Sequence, residues 1–74
     1  MNKEQLIFLI DNLMKDFDPY SYEDISFDFE PLAYIEDTLD NDPKAIKDYC
    51  YMVLDECEDY DLILKAKTIL KEIE

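Results

Sequence analysis

Carboxylates dominate the chemistry this chain could perform. Sixteen Asp and Glu residues lie between Asp16 and Asp61 against two lysines, a net charge of −14 for that stretch, and all six tyrosines of the chain are among them. Carboxylates at this density could serve as general acid and base, as ligands for a hard cation, or as an anionic surface offered to a basic partner. The sequence argues against the first two. Histidine, arginine and glycine are all absent, so the usual acid–base, oxyanion and phosphate-cradling parts of an active site are missing. Glu36 and Asp37 are adjacent, and neighbouring helix positions point in different directions, so they make a poor acid–base pair. No catalytic residue is assigned and no enzyme activity is expected.

Cation binding fails on spacing. Asp40-Asn41-Asp42 and the run from Asp55 to Asp61 are acidic enough for calcium, but a helix–loop–helix site needs glycine at its sixth position and a bidentate glutamate at its twelfth. Counted from Asp55, those positions are Tyr60 and Ala66. Zinc would need two soft ligands beyond Cys50 and Cys57. No metal and no cofactor is expected.

The third possibility, an anionic surface, remains. Asp55, Glu56, Glu58 and Asp59 crowd the C-terminal end of one expected helix, and Glu36, Asp37 and Asp40 that of another, where the helix dipole is already negative. Asp42, Asp59 and Asp61 can be excused as caps of the helices that follow. Glu36, Asp37, Asp55, Glu56 and Glu58 have no such local role, and uncompensated breaches of local rules mark functional surfaces. Tyrosine is enriched at interface hot spots. Tyr49 is in phase with the core, whereas Tyr51 and Tyr60 are off it and can face a partner. The candidate binding set is therefore Glu36, Asp37, Asp40, Asp55, Glu56, Glu58, Asp59, Tyr51 and Tyr60.

These residues must be positioned by helices. Asn2 and Gln5 have the spacing of a capping box, and Leu6, Leu9, Ile10, Leu13, Met14 and Phe17 follow as an apolar stripe, predicting a helix from about Lys3 to Phe17. Asp18-Pro19 ends it, since a residue before proline is driven out of the helical region. From Tyr20 to Glu30 the apolar Ile25, Phe27 and Phe29 alternate with polar residues. This reads as an extended connector whose aromatics plug the core, or as a short helix starting at Ser21. Pro31 opens a helix to about Asp40 with Leu32, Ile35 and Leu39 on its apolar face. Asp42-Pro43 opens another, carrying Ile46, Tyr49, Cys50, Val53, Leu54 and Cys57 at helical spacing. A last helix, capped by Asp59 or Asp61, carries Leu62, Ile63, Ala66, Ile69, Leu70 and Ile73; one unbroken helix from Pro43 to Ile73 is the alternative. With no glycine to end a helix in the left-handed conformation, Asn41 is the natural substitute. The expected fold is all-α: a small antiparallel bundle of three to four short helices with an irregular, aromatic-rich connector near residues 18–30.

Seventy-four residues, 49% of them apolar, make one domain with a modest core. No run approaches a membrane span, and Leu6 to Ile10 is too short and too early for a signal-peptide core. A cytoplasmic protein is expected. The net charge of −13 argues against direct contact with nucleic acid or anionic lipid and for a basic protein partner. Cys50 and Cys57, placed in one helix about 10 Å apart along the axis, are too far apart for a disulfide and read as buried free thiols. Oligomeric state is not legible.

In size, composition and charge layout the chain resembles the small acidic inhibitors that mimic nucleic acid, made by phages and mobile elements against nucleases, restriction enzymes or CRISPR effectors. That resemblance implies an inhibitor occupying the basic surface of a nucleic-acid-handling protein. The chain is also similar in kind to acidic helical immunity proteins that block nuclease toxins of the colicin type, which implies an immunity or antitoxin role; the adjacent Tyr-Tyr-Pro of that family is absent here, and Tyr49-Cys50-Tyr51 is only a loose echo of it. An adaptor that docks a basic or amphipathic helix is the remaining expectation.

Overall fold

The computed structural model describes residues 1–18 and 30–74. The protein is all-α: the described residues form four helices, α1 (Lys3–Phe17), α2 (Pro31–Asn41), α3 (Pro43–Glu56) and α4 (Tyr60–Ile73), with no strand among them. The expected connector, apart from its end residues Asp18 and Glu30, lies outside the described residues. Cys57 to Asp59 separate α3 from α4, which rules out the single helix from Pro43 to Ile73.

The helices begin in two ways. Asn2 closes a full capping box on α1: its side-chain oxygen accepts the Gln5 N–H at 2.8 Å, and Gln5 Oε1 accepts the Asn2 N–H at 3.1 Å. Asp59 caps α4 by accepting the Asp61 N–H at 2.9 Å, so of the two expected candidates Asp59 is the cap. α2 and α3 start with Pro31 and Pro43 at the first helical position, and neither Glu30 nor Asp42 makes a side-chain capping bond. The capping role expected of Asp42 is not observed. A first-position proline has no N–H to satisfy and carries a pre-set φ, which lowers the demand for a side-chain cap.

The helices end without left-handed residues: no described residue has positive φ. Asp18 and Asp42, each followed by proline, take nearly the same extended geometry, φ −141° and ψ 77° in one and φ −148° and ψ 66° in the other. The pre-proline clash that excludes the helical region thus terminates two helices of a glycine-free chain. Asn41 does not adopt the expected left-handed role. It is the last residue of α2, and its amide donates back to the Asp37 carbonyl at 3.0 Å and the Asp37 carboxylate at 2.8 Å.

α1 packs on α2 and α4, and α3 packs on the same two helices. Lys65, early in α4, donates to Asp16 at the far end of α1 at 2.9 Å, and Lys3, at the start of α1, reaches Asp40 near the end of α2. Both pairings require antiparallel neighbours. Ile7, Ile10, Leu13, Ile35, Ile46, Cys50, Val53, Ala66, Ile69 and Leu70 form the buried core, with Leu6, Leu9, Met14, Phe17, Leu39, Tyr49, Leu54, Cys57, Leu62 and Ile73 packed around it; of the predicted stripe residues, Leu32 is exposed and Ile63 is not part of this cluster. Ile7 is a core residue the stripe reading omitted. Residues 6–10 are apolar at every position, so spacing cannot set the phase there, and tertiary packing selects Ile7 and turns Phe8 outward.

Candidate functional site

The sequence-derived binding set divides between two helix ends, and the structure treats them differently. At the end of α2, Lys3 from α1 reaches across. Its ammonium donates to both oxygens of Asp40, at 2.8 and 3.0 Å, and lies 3.8 Å from a Glu36 oxygen. The hydrogen bond to Asp40 raises the Lys3 pKa above its ordinary value, against desolvation, which lowers it, and the Asp40 and Glu36 charges add to the rise. Asp37 holds the Asn41 amide. Glu36, Asp37 and Asp40 are all exposed, but each has a partner. The supposed lack of compensation at Glu36 and Asp37 is therefore corrected: the compensating groups are Lys3, 33 or more positions away in sequence, and Asn41.

At the end of α3 nothing comparable is present. The helix stops at Glu56, so Glu58 and Asp59 occupy the connection to α4 rather than the helix end where the sequence reading placed them. Asp55, Glu56, Glu58, Asp59 and Asp61 are exposed. Asp59 is engaged as the α4 cap, whereas the carboxylates of Asp55, Glu56 and Glu58 make no hydrogen bond or ion pair among the described residues. Lys65 lies four positions beyond Asp61, close enough along the helix to neutralise this corner. It is bonded to Asp16 instead. The last turn of α3 contains no basic residue, so Asp55 and Glu56 add their charge to the negative pole of the helix dipole.

The tyrosines also separate. Tyr49 is half-buried, its ring edge-on to Phe17 with centroids 5.9 Å apart, and burial foremost, with the Asp18 and Cys50 charges, pushes its pKa up to about 12. It is a core-rim residue. Tyr51 is half exposed, but its hydroxyl donates to the Glu74 carboxylate, and that bond is the main reason its pKa lies above the ordinary value. A partner could use Tyr51 only in competition with Glu74. Tyr60, with 72% of its surface exposed, opens α4 directly beside the acidic corner.

The cysteines are free. Cys50 is fully buried, and burial pushes its thiol pKa up to about 11. Cys57 is only half-buried, its Sγ 4.0 Å from the Asp59 carbonyl oxygen, because it lies just past the helix end and not in the core stripe. The structure thus brings Asp55, Glu56, Glu58, Asp59 and Tyr60 into one chain segment and leaves Glu36, Asp37 and Asp40 as a separate, internally paired group. Among the described residues no three acids or cysteines are arranged to hold a metal ion, and no helix is long and apolar enough to cross a membrane.

No family model matches the chain. No curated protein and no solved structure matches it either. The function must be argued from the site's own geometry.

Proposed function

We propose that this chain is a non-enzymatic binding protein that inhibits a nucleic-acid-handling protein by occupying its basic surface, in the manner of phage and mobile-element inhibitors of nucleases and CRISPR effectors. Asp55, Glu56 and Glu58 stand in for phosphates, and Tyr60 supplies an aromatic anchor at their edge. The observation that carries this reading is the uncompensated corner between α3 and α4: its three acids lack a partner among the described residues, while Lys65, the cation best placed to serve it, is committed to Asp16. Exposed like charges at a negative helix pole cost folding energy, and an approaching cationic surface relieves that cost as it binds.

The mechanism has two parts. The field of a chain with net charge −13 speeds encounter with a basic partner, and the aromatic anchor slows release. The test is a pulldown from bacterial lysate on the immobilised chain, with and without competing duplex DNA, followed by binding kinetics on the protein retained. The expected result is a nucleic-acid-binding protein that DNA displaces. Its association rate should fall at least tenfold when Glu56 and Glu58 are both changed to lysine, and its dissociation rate should rise on Tyr60→Ala. A partner indifferent to DNA, or binding untouched by the double charge reversal, removes the proposal.

A further inference from the structure

α1 and α2 leave an open groove of about 500 Å³ on a different part of the molecule from the acidic corner. Its apolar lining is Ile7 and Phe8 from α1 with Leu32 and Ala33 from α2, and Glu4 and Glu36 stand on the two sides. The volume falls within the range of about 300–1,000 Å³ typical of ligand clefts. Two large side chains in it are poorly covered: Phe8 is 47% and Leu32 38% exposed. Phe8 is the residue of the continuous apolar run 6–10 that packing turns away from the core. Leu32 was expected on the apolar face of its helix and sits in the first turn, beyond the reach of the core around Ile35. Lys3 lines the groove as well, but its ammonium is engaged by Asp40 and Glu36.

We propose that this groove docks the apolar face of a cationic amphipathic helix belonging to a partner protein. Large apolar residues at successive turns of that helix cover Phe8 and Leu32, and a lysine or arginine flanking its apolar stripe meets Glu4 on the α1 side, while a second shares Glu36 with Lys3 on the α2 side. Charge selects this occupant. A second copy of the chain would bring another −13 against rims that are themselves acidic, and an acidic helix is repelled in the same way. The groove lies beside the first two turns of α1, whereas Lys65 places the start of α4, and with it the acidic corner, against the last turn of α1. The two surfaces are therefore separable by mutation.

The probes are three fluorescently labelled peptides: an amphipathic Leu/Lys helix, a scrambled peptide of the same composition without an apolar face, and an amphipathic Leu/Glu helix. With the full chain, the Leu/Lys helix should bind at least tenfold more tightly than either control. Phe8→Ala and Leu32→Ser should each weaken it about tenfold, and Glu56→Lys with Glu58→Lys should leave it within about twofold. Amide shifts induced by the peptide in the unmodified protein, which need no variant, should centre on residues 3–8 and 32–36. Equal binding of the scrambled peptide would overturn the proposal, since it would reduce the interaction to charge alone. So would shifts centred on residues 55–61, or a sedimenting dimer that Phe8→Ala dissolves.

Discussion

α1 and α4 each carry a charge that suits the helix dipole at both ends, and α2 and α3 carry none. The first pair carries an acid in the first turn and lysine in the last, Glu4 with Lys15 and Asp61 with Lys71; the second pair has neither an acid in the first turn nor a base in the last. α3 is inverted outright, with Lys44 and Lys47 near its start and Asp55 and Glu56 at its end. The conforming helices also carry the side-chain caps. What separates these two helices is a single distant lysine: Lys3 repairs the end of α2, and nothing among the described residues repairs the end of α3. Charge reversal along a helix is thus accommodated in two ways, through a tertiary partner at α2 or by leaving the acids exposed at α3. The α3 end is the only one of the two that offers unpaired acids to a ligand.

The largest expected effect tests whether the conforming pair is the platform on which the other helices rest. α4 contributes Ala66, Ile69 and Leu70 to the buried core, whereas α2 contributes only Ile35. Ile69→Ala should cost about 2–5 kcal/mol of global stability, read as a fall in the urea midpoint with amide protection lost throughout. Ile35→Ala removes the same atoms from an equally buried site, yet should release α2 first, stripping protection from residues 31–41 while α1 and α4 retain theirs. Uniform loss of protection in both variants would erase the distinction between platform and attached helix.

Alkaline pH separates the neutral middle of α3 from its charged end. Cys50 and Tyr49 have folded pKa values near 11 and 12, raised above ordinary values of 9.0 and 10.0 chiefly by burial. A raised folded pKa means that the folded state holds its proton longer than the unfolded state. Stability from these groups is therefore intact below about pH 9 and is lost as pH climbs toward 11 and 12. Urea midpoints should fall over that window, and Tyr49→Phe should make the fall shallower. An unchanged slope would place the Tyr49 hydroxyl in water. The same contrast governs thiol chemistry: Cys57 should react with a thiol reagent well before Cys50.

The legible and illegible parts of the sequence divide along the same line. Features written in local code were readable: the Asn2–Gln5 box, the Asp-Pro break at Asp18, the helix start at Pro43, and the stripe from Ile46 to Leu54. What failed depended on contacts distant in the chain. The phase of the run 6–10 was unreadable because all five residues are apolar, so Ile7 in the core and Phe8 in the groove had to be decided by packing. Lys3 as partner of Glu36 and Asp40, and Glu74 as partner of the Tyr51 hydroxyl, span 33 to 37 and 23 positions, and no spacing rule reaches that far. A lysine at the start of a helix, where the dipole disfavours it, was the one available signal for Lys3. Asn41 failed for a different reason: a side-chain bond to Asp37 met the need that a left-handed backbone would otherwise have served.

Salt should act on the whole chain in one direction. Long-range repulsion among exposed acids is the dominant electrostatic term, and a Debye length of about 8 Å at physiological ionic strength shortens its reach. Urea midpoints should rise with sodium chloride. The comparison sharpens in Lys3→Ala, where the freed acids of α2 join the unpaired set and the salt dependence should steepen. A midpoint that is flat or falls with salt would mean that local pairing, as at Lys3, outweighs the repulsion even at the end of α3.

The smallest effect is the most specific. Asp55→Asn with Glu56→Gln keeps shape and hydrogen-bonding capacity while removing two charges from the negative pole of α3. Repulsion with Glu58 and Asp59 also falls. Since neither acid has a side-chain partner among the described residues, the folded state should gain about 0.3–1 kcal/mol. Asp40→Asn at the end of α2 removes the same kind of charge from the same kind of position, but it also strips Lys3 of its closest acceptor. It should bring no gain. Urea melts at low ionic strength would read both changes, and the opposite order, with Asp40→Asn stabilising and the double variant not, would show that the end of α3 is neutralised by groups the pairing at Lys65 and Asp16 does not reveal. A stabilised double variant that also binds its partner more slowly would tie the two properties together: the acids are kept at a cost to folding because the partner needs them there.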